Sequence, residues 1–109
     1  MIYNKLVRDN IPEIIKADGK DTKIHIATDS EFKLMLLEKL IEEATELYDA
    51  YTKDGIIDIN EIADIDEVLR KIKLESGFTV KDIEEAIESK RLSRGSFDKQ
   101  IILEEVEEK

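Results

Sequence analysis

In Lys33-Leu34-Met35-Leu36-Leu37-Glu38-Lys39-Leu40-Ile41-Glu42-Glu43-Ala44-Thr45-Glu46-Leu47-Tyr48-Asp49-Ala50-Tyr51, the residues Leu37, Leu40, Ala44, Leu47 and Tyr51 recur at alternating steps of three and four. That spacing lines them along one face of an α-helix, against a partner helix. Upstream, Thr28 and Glu31 have the spacing of a capping box, in which each residue satisfies a free backbone donor of the other. Downstream, Gly55 can take the left-handed conformation that closes a helix. A long helix is therefore expected over about 28–53.

Working outward, Asp58 stands where a cap would open a second long helix, from Ile59 to about Glu75, with Glu61 three residues beyond it. Ile62, Ile65, Val68, Leu69 and Ile72 share its inward face. Thr79 with Asp82 opens a further helix, from Val80 to about Leu92, on Ile83, Ala86 and Ile87. Before the long helix, Asn10 would cap a short one over Ile11 to Ala17, whose first turn tolerates Pro12. Lys23-Ile24-His25-Ile26-Ala27 and Gln100-Ile101-Ile102-Leu103 read as short strands or extended segments. The expected fold is all-α, a bundle of about four helices in a single domain over 1–109, and the acidic end from Glu104 reads as a solvated tail.

Composition narrows the chemistry. With 27 acidic residues against 17 Lys plus Arg, the net charge is -10. This opposes a broad grip on duplex nucleic acid or an anionic membrane, since both rely on clustered Lys and Arg. No cysteine and one histidine exclude a disulfide framework, a thiolate zinc site and a histidine metal cluster. No apolar run is long enough to span a bilayer, and Met1-Ile2-Tyr3-Asn4-Lys5 lacks the apolar stretch of a signal peptide. A cytoplasmic protein with oxygen-ligand chemistry is expected.

Glu42-Glu43-Ala44-Thr45-Glu46 and Glu61-Ile62-Ala63-Asp64 carry that chemistry. Glu43 lies one turn from Glu46, and Glu61 one turn from Asp64, so an antiparallel pairing of the two helices converges four carboxylates. Such a cluster repels itself unless a cation sits within it, and Mg²⁺, a hard ion bound by carboxylate and phosphate oxygens, suits it. The competing reading is a solvated acidic face, since Asp82 with Glu85 and Glu85 with Glu88 have the same spacing. Glu61 argues against that reading, because it falls within the apolar arc of its helix, where a carboxylate needs a partner. A capping role at the first turn is its rival explanation. Tyr48, Tyr51 and His25 read as packing or edge residues, and Glu67 as a surface acid.

The opening Tyr3-Asn4-Lys5-Leu6-Val7-Arg8-Asp9-Asn10-Ile11-Pro12-Glu13-Ile14-Ile15 resembles the start of a group of small proteins in the MazG-like, all-α nucleoside triphosphate pyrophosphohydrolase superfamily, the phosphoribosyl-ATP pyrophosphohydrolase-like group. The EExxE element at Glu42 to Glu46, the ExxD element at Glu61 to Asp64 and the basic ending Lys90-Arg91-Leu92-Ser93-Arg94-Gly95-Ser96-Phe97 follow in the group's order. Ser96 stands where that ending usually has a second glycine.

The resemblance implies a Mg²⁺-dependent enzyme, with Mn²⁺ as a substitute, that hydrolyses a nucleotide between its α- and β-phosphates to a monophosphate and pyrophosphate. It implies Glu43, Glu46, Glu61 and Asp64 as metal ligands, with Glu42 beside them as a base or supporting group and Glu43 also in the catalytic set. Lys5, Arg8, Arg91 and Arg94 are the candidate phosphate-binding residues, since guanidinium and ammonium groups suit phosphate oxygens. Arg8 and Arg94 are expected outside helix interiors, whereas Lys90 and Arg91 could equally answer a helix dipole. Phosphoribosyl-ATP is an alternative substrate, and an acidic, non-catalytic interaction module the alternative class. Leu34, Met35, Leu36, Ile41 and Tyr48 leave apolar area outside the main stripe, so a homodimer, or a dimer of dimers, is expected.

Overall fold

The computed structural model describes residues 3–108. It contains four α-helices: α1 over Ile11–Ala17, α2 over Asp29–Asp54, α3 over Ile59–Glu75 and α4 over Val80–Arg94. No strand occurs among the described residues. The segments 23–27 and 100–103 therefore remain without strand pairing, and their apolar residues Ile24, Ile26, Ile101, Ile102 and Leu103 are exposed. Alternation there has no neighbouring ladder to satisfy backbone groups. No helix of the described residues is long and apolar enough to cross a membrane.

The caps set the boundaries. Thr28 accepts from the Glu31 amide at 3.3 Å, but the Glu31 carboxylate turns to His25 Nε2 at 2.9 Å. The expected capping box at α2 is thus half-made, and His25 pairs with Glu31 where an edge or packing role was expected. Asp58 opens α3 by accepting from the Asn60 amide at 2.7 Å. At α4 the box is complete, with Asp82 N–H donating to Thr79 Oγ1 and Thr79 N–H donating to Asp82 Oδ2, both at 3.0 Å. Asn10 precedes α1 with no side-chain cap bond, in helical backbone geometry instead of the extended geometry a side-chain cap uses. At the far end of α2, Gly55 has φ 70°, and its N–H donates to Tyr51 O at 2.8 Å.

The chain forms two compact units, Met1–Gly77 and Phe78–Lys109. In the first, α2 and α3 are joined through residues 55–58 and pack on each other. A connection that short returns the second helix alongside the first as an antiparallel hairpin. The packed side of α2 carries Leu36, 3% exposed, and the half-buried Phe32, Met35, Leu40 and Leu47. Opposite them α3 offers the half-buried Ile65, Val68, Leu69 and Ile72, while Lys71 sits over the Phe32 ring at 5.7 Å.

The packed side of α2 differs from the expected stripe. Leu40 and Leu47 are on the packed side, but Leu37, Ala44 and Tyr51 are exposed, as is Tyr48. The packed face follows Leu36, Leu40, Glu43 and Leu47, a set in which one position is acidic and therefore invisible to a search for apolar periodicity. The second unit contains α4, on which Ile83 is half-buried. Its helix runs one turn-fragment beyond the expected end at Leu92, which places Arg94 in the last turn and not in a loop.

Candidate metal centre

The buried acid Glu43, 6% exposed, sits where the packed face of α2 meets the start of α3. One carboxylate oxygen from each of Glu43, Glu61 and Asp64 lies within 4.8 Å of the others, across the two helices. A second group, Glu42, Glu43 and Glu46, meets the same limit along α2, so Glu43 belongs to both. The four expected ligands are thus arranged around Glu43, with Glu46 on the exposed flank.

Two oxygens in this arrangement are left unmatched. Glu43 Oε2 and Glu61 Oε2 are both buried and have no hydrogen-bond partner. Burying a carboxylate oxygen without a donor is costly, and native folds leave few such groups. A capping role for Glu61 would spend its carboxylate on a backbone amide; its Oε2 makes no such bond. Two orphaned oxygens, with Asp64 beside them, form a donor set that fits a hard divalent cation.

Basic side chains balance the rest. Lys5 Nζ donates to Glu42 Oε1 at 3.1 Å, Lys39 Nζ to Glu42 Oε2 at 3.2 Å, and Lys39 Nζ stands 3.6 Å from Glu43 Oε1. Arg8 Nη2 donates to Asp64 Oδ1 at 2.7 Å. The N-terminal segment therefore reaches the acidic cluster at two points, bringing Lys5 and Arg8 to its edge. Lys39, its side chain 18% exposed, is the residue at the cluster that the sequence reading passed over. Its signal was the i,i+3 and i,i+4 spacing to Glu42 and Glu43, common in a chain so rich in charge.

The environment separates the two adjacent glutamates. Burial pushes the Glu43 carboxyl above its ordinary range, the nearby Glu46 and Asp64 add to the rise, and Lys39 only partly opposes it. For Glu42 burial acts in the same direction, but the hydrogen bonds and charges of Lys5 and Lys39 together outweigh it and hold the carboxyl low. The Glu42 hydrogen bond in turn raises the Lys5 ammonium.

Comparison with known proteins adds little chemistry. No family model matches the chain, and no solved structure matches it. A protein of Mycolicibacterium smegmatis described as uncharacterized is 43% identical over 54 residues, 50% of this chain and 55% of that protein. The chain spans about half the length of the curated relative it matches.

The remaining expected residues each have their own surroundings. Arg91 and Arg94 lie in the last turn of α4, in the second unit, where Arg91 Nη1 is 3.7 Å from Glu88 Oε2. Cations in a last turn suit the carbonyl end of a helix. Glu67 is held by Arg70 through Nε and Nη2, at 3.1 Å and 2.7 Å to Oε1, and stands apart from both acidic groups.

Proposed function

We propose that the protein is a Mg²⁺-dependent nucleotide pyrophosphohydrolase whose site is the α2–α3 acidic cluster. The observation that carries this reading is the pair of buried, unpartnered oxygens Glu43 Oε2 and Glu61 Oε2 within a three-carboxylate set drawn from two helices. A surface acid face leaves its carboxylates in water, whereas Glu43 is only 6% exposed. The Tyr3 to Ile15 block and the order of the acidic elements supply the nucleotide part of the proposal. Glu43, Glu61 and Asp64 would hold the cation, with Glu46 on the open side. When bound, Mg²⁺ supplies charge neutralisation for the phosphates and a more acidic water.

The chain's own residues divide the other tasks. Arg8 contacts Asp64 through Nη2 and is otherwise exposed, so its remaining N–H donors are available to a phosphate oxygen. Lys5, also at the edge, offers a mobile ammonium. Glu42 is held ionised by two ammonium groups and is a weak base, so it positions Lys5 and Lys39. A carboxylate of the cluster takes the proton from the water that attacks the α-phosphorus. Pyrophosphate then leaves with the β- and γ-phosphates, and the monophosphate remains.

The test is a panel of nucleoside triphosphates and phosphoribosyl-ATP incubated with the protein and Mg²⁺, scored for pyrophosphate. Pyrophosphate release abolished by Glu61→Gln is the expected result. Orthophosphate as the product, or no product from any nucleotide, contradicts the proposal and leaves the interaction module.

A further inference from the structure

The chain has three tyrosines, three phenylalanines and no tryptophan, so the rings that a flat ligand group can meet are few. Phe78 and Phe97 belong to the second unit. Phe32 is half-buried on the packed side of α2, with Lys71 over its ring. At 100° per residue, Tyr48 and Tyr51 lie about 140° or more round α2 from Glu46, the exposed flank of the acidic cluster. Tyr3 is placed differently. It is 66% exposed, and its ring centre stands 5.7 Å from Lys5 Nζ, the ammonium that donates to Glu42 Oε1 at 3.1 Å.

Local backbone geometry sets that placement. Tyr3, Asn4 and Lys5 belong to no helix or strand, and Asn4 takes φ 45°, a left-handed conformation that asparagine tolerates better than most residues with a side chain. An outlier of this kind persists only where surrounding contacts hold it. Here those contacts are two ion pairs, Lys5 with Glu42 and Arg8 with Asp64 at 2.7 Å, which fasten the segment to the cluster. The ring is thereby held one side chain away from the groups that would take the phosphates. An ammonium over an aromatic face is a cation–π contact, and it occupies one side of the ring. With that contact made, Tyr3 still has most of its surface open to a second flat group.

We propose that the Tyr3 ring is the seat of the nucleobase, which stacks on it while the phosphates engage the metal, Lys5 and Arg8. This rests on the reading of the cluster as a nucleotide site and adds the part of the substrate that the acids cannot recognise. A triphosphate presents the same charge whatever base it carries, so the carboxylates, their cation and the basic side chains hold the reacting end only. Tyr3 is the one ring of the first unit beside the cluster, and Lys5 links the two ends because its ammonium touches both the ring and Glu42. Stacking uses the π-face that every base has, without hydrogen bonds to the base edge. Tyr3 therefore favours nucleotides over base-free polyphosphates and gives only a modest preference among bases.

Calorimetric titration in the presence of Mg²⁺ tests this with two probes: α,β-methylene ATP, which resists cleavage at the α–β link, and inorganic tripolyphosphate, which has no base. The unaltered chain should bind the nucleotide more tightly than the polyphosphate. Tyr3→Leu should weaken nucleotide binding on the order of ten- to a hundredfold and leave tripolyphosphate binding unchanged, while Tyr3→Phe should keep the unaltered affinity for both. Equal losses for the two probes in Tyr3→Leu would mean that the ring acts on Lys5 and the phosphates, and no loss for either that it is plain surface. Either result overturns the stack and leaves the metal centre standing. An unaltered chain that binds neither probe overturns the nucleotide reading of the cluster, and the stack with it.

Discussion

Lys39 Nζ stands 3.2 Å from Glu42 and 3.6 Å from Glu43, one half-buried ammonium serving two carboxylates with different needs. Replacing it by Met removes that charge and leaves the two acids to repel. The fold without Mg²⁺ should lose roughly 1–2 kcal/mol, a loss smaller than for a fully buried pair because the site is partly wet. Urea midpoints with and without Mg²⁺ check this, and the deficit should shrink with the cation present. The Glu43 and Glu42 shifts have opposite signs in stability. Glu43 is raised in the fold, so its ionised form costs stability above the folded value, and the cost disappears as pH falls toward the ordinary 4.5. Glu42 is lowered, so its pairing with Lys5 and Lys39 stabilises above 4.5 and is lost as pH falls through the lower folded value. Without metal, stability should therefore rise from neutrality toward mildly acidic pH before it collapses. Glu43→Gln should raise stability at neutral pH and flatten that rise, as measured by midpoints across a pH series; an unchanged profile would show that Glu43 is not the crowded group. The acids themselves were legible in the sequence, because i,i+3 spacing on two helices joined by a short turn lets them converge and Glu61 falls within the apolar arc of its helix. Lys39 was not, since a lysine inside an acidic helix ordinarily reaches into water.

Element boundaries follow from short-range chemistry. The Thr79–Asp82 box has both bonds at 3.0 Å, so Thr79→Ala should cost α4 about 1 kcal/mol, whereas Thr28→Ala, with a single 3.3 Å bond, should cost α2 less. Helicity by circular dichroism and exchange protection at the first turns distinguish the two. Gly55→Ala forces a Cβ into φ 70° and should cost roughly 1–2 kcal/mol, even though nothing lies within 4 Å of the added atom. Such signals act over four or five residues, which is why all four helices were readable to within a residue or two. The orientation of α2 was less so. Its apolar residues cover two faces, one with Leu36, Leu40 and Leu47, the other with Leu34, Leu37, Ile41, Tyr48 and Tyr51. The expected stripe took members from both. Which face meets α3 is decided by Glu43, whose burial depends on residues of another helix. The strand-like segments failed for a related reason: alternation at Ile24 and Ile26 has no adjacent strand to pair with.

At the scale of the molecule, a chain of net charge -10 sets three of its 17 Lys and Arg residues, Lys5, Arg8 and Lys39, against the acidic cluster of the first unit. Their presence neutralises part of the repulsion, and the two orphaned oxygens mark what they leave undone. The molecule should accordingly depend on a divalent cation for part of its stability. A saturating ligand that binds only the folded state stabilises it by roughly 2.7 kcal/mol at a hundred times its dissociation constant. The most direct test of the metal centre is the thermal stability of the unaltered chain, Glu61→Gln and Glu85→Gln as Mg²⁺ is added. Glu85 has the same helical spacing to its acidic neighbours but lies on α4 and stands 3.9 Å from Lys81. The account predicts that Mg²⁺ stabilises the unaltered chain and Glu85→Gln alike, while Glu61→Gln loses most of the response and is no less stable without metal. Equal Mg²⁺ responses from Glu61→Gln and Glu85→Gln would contradict it.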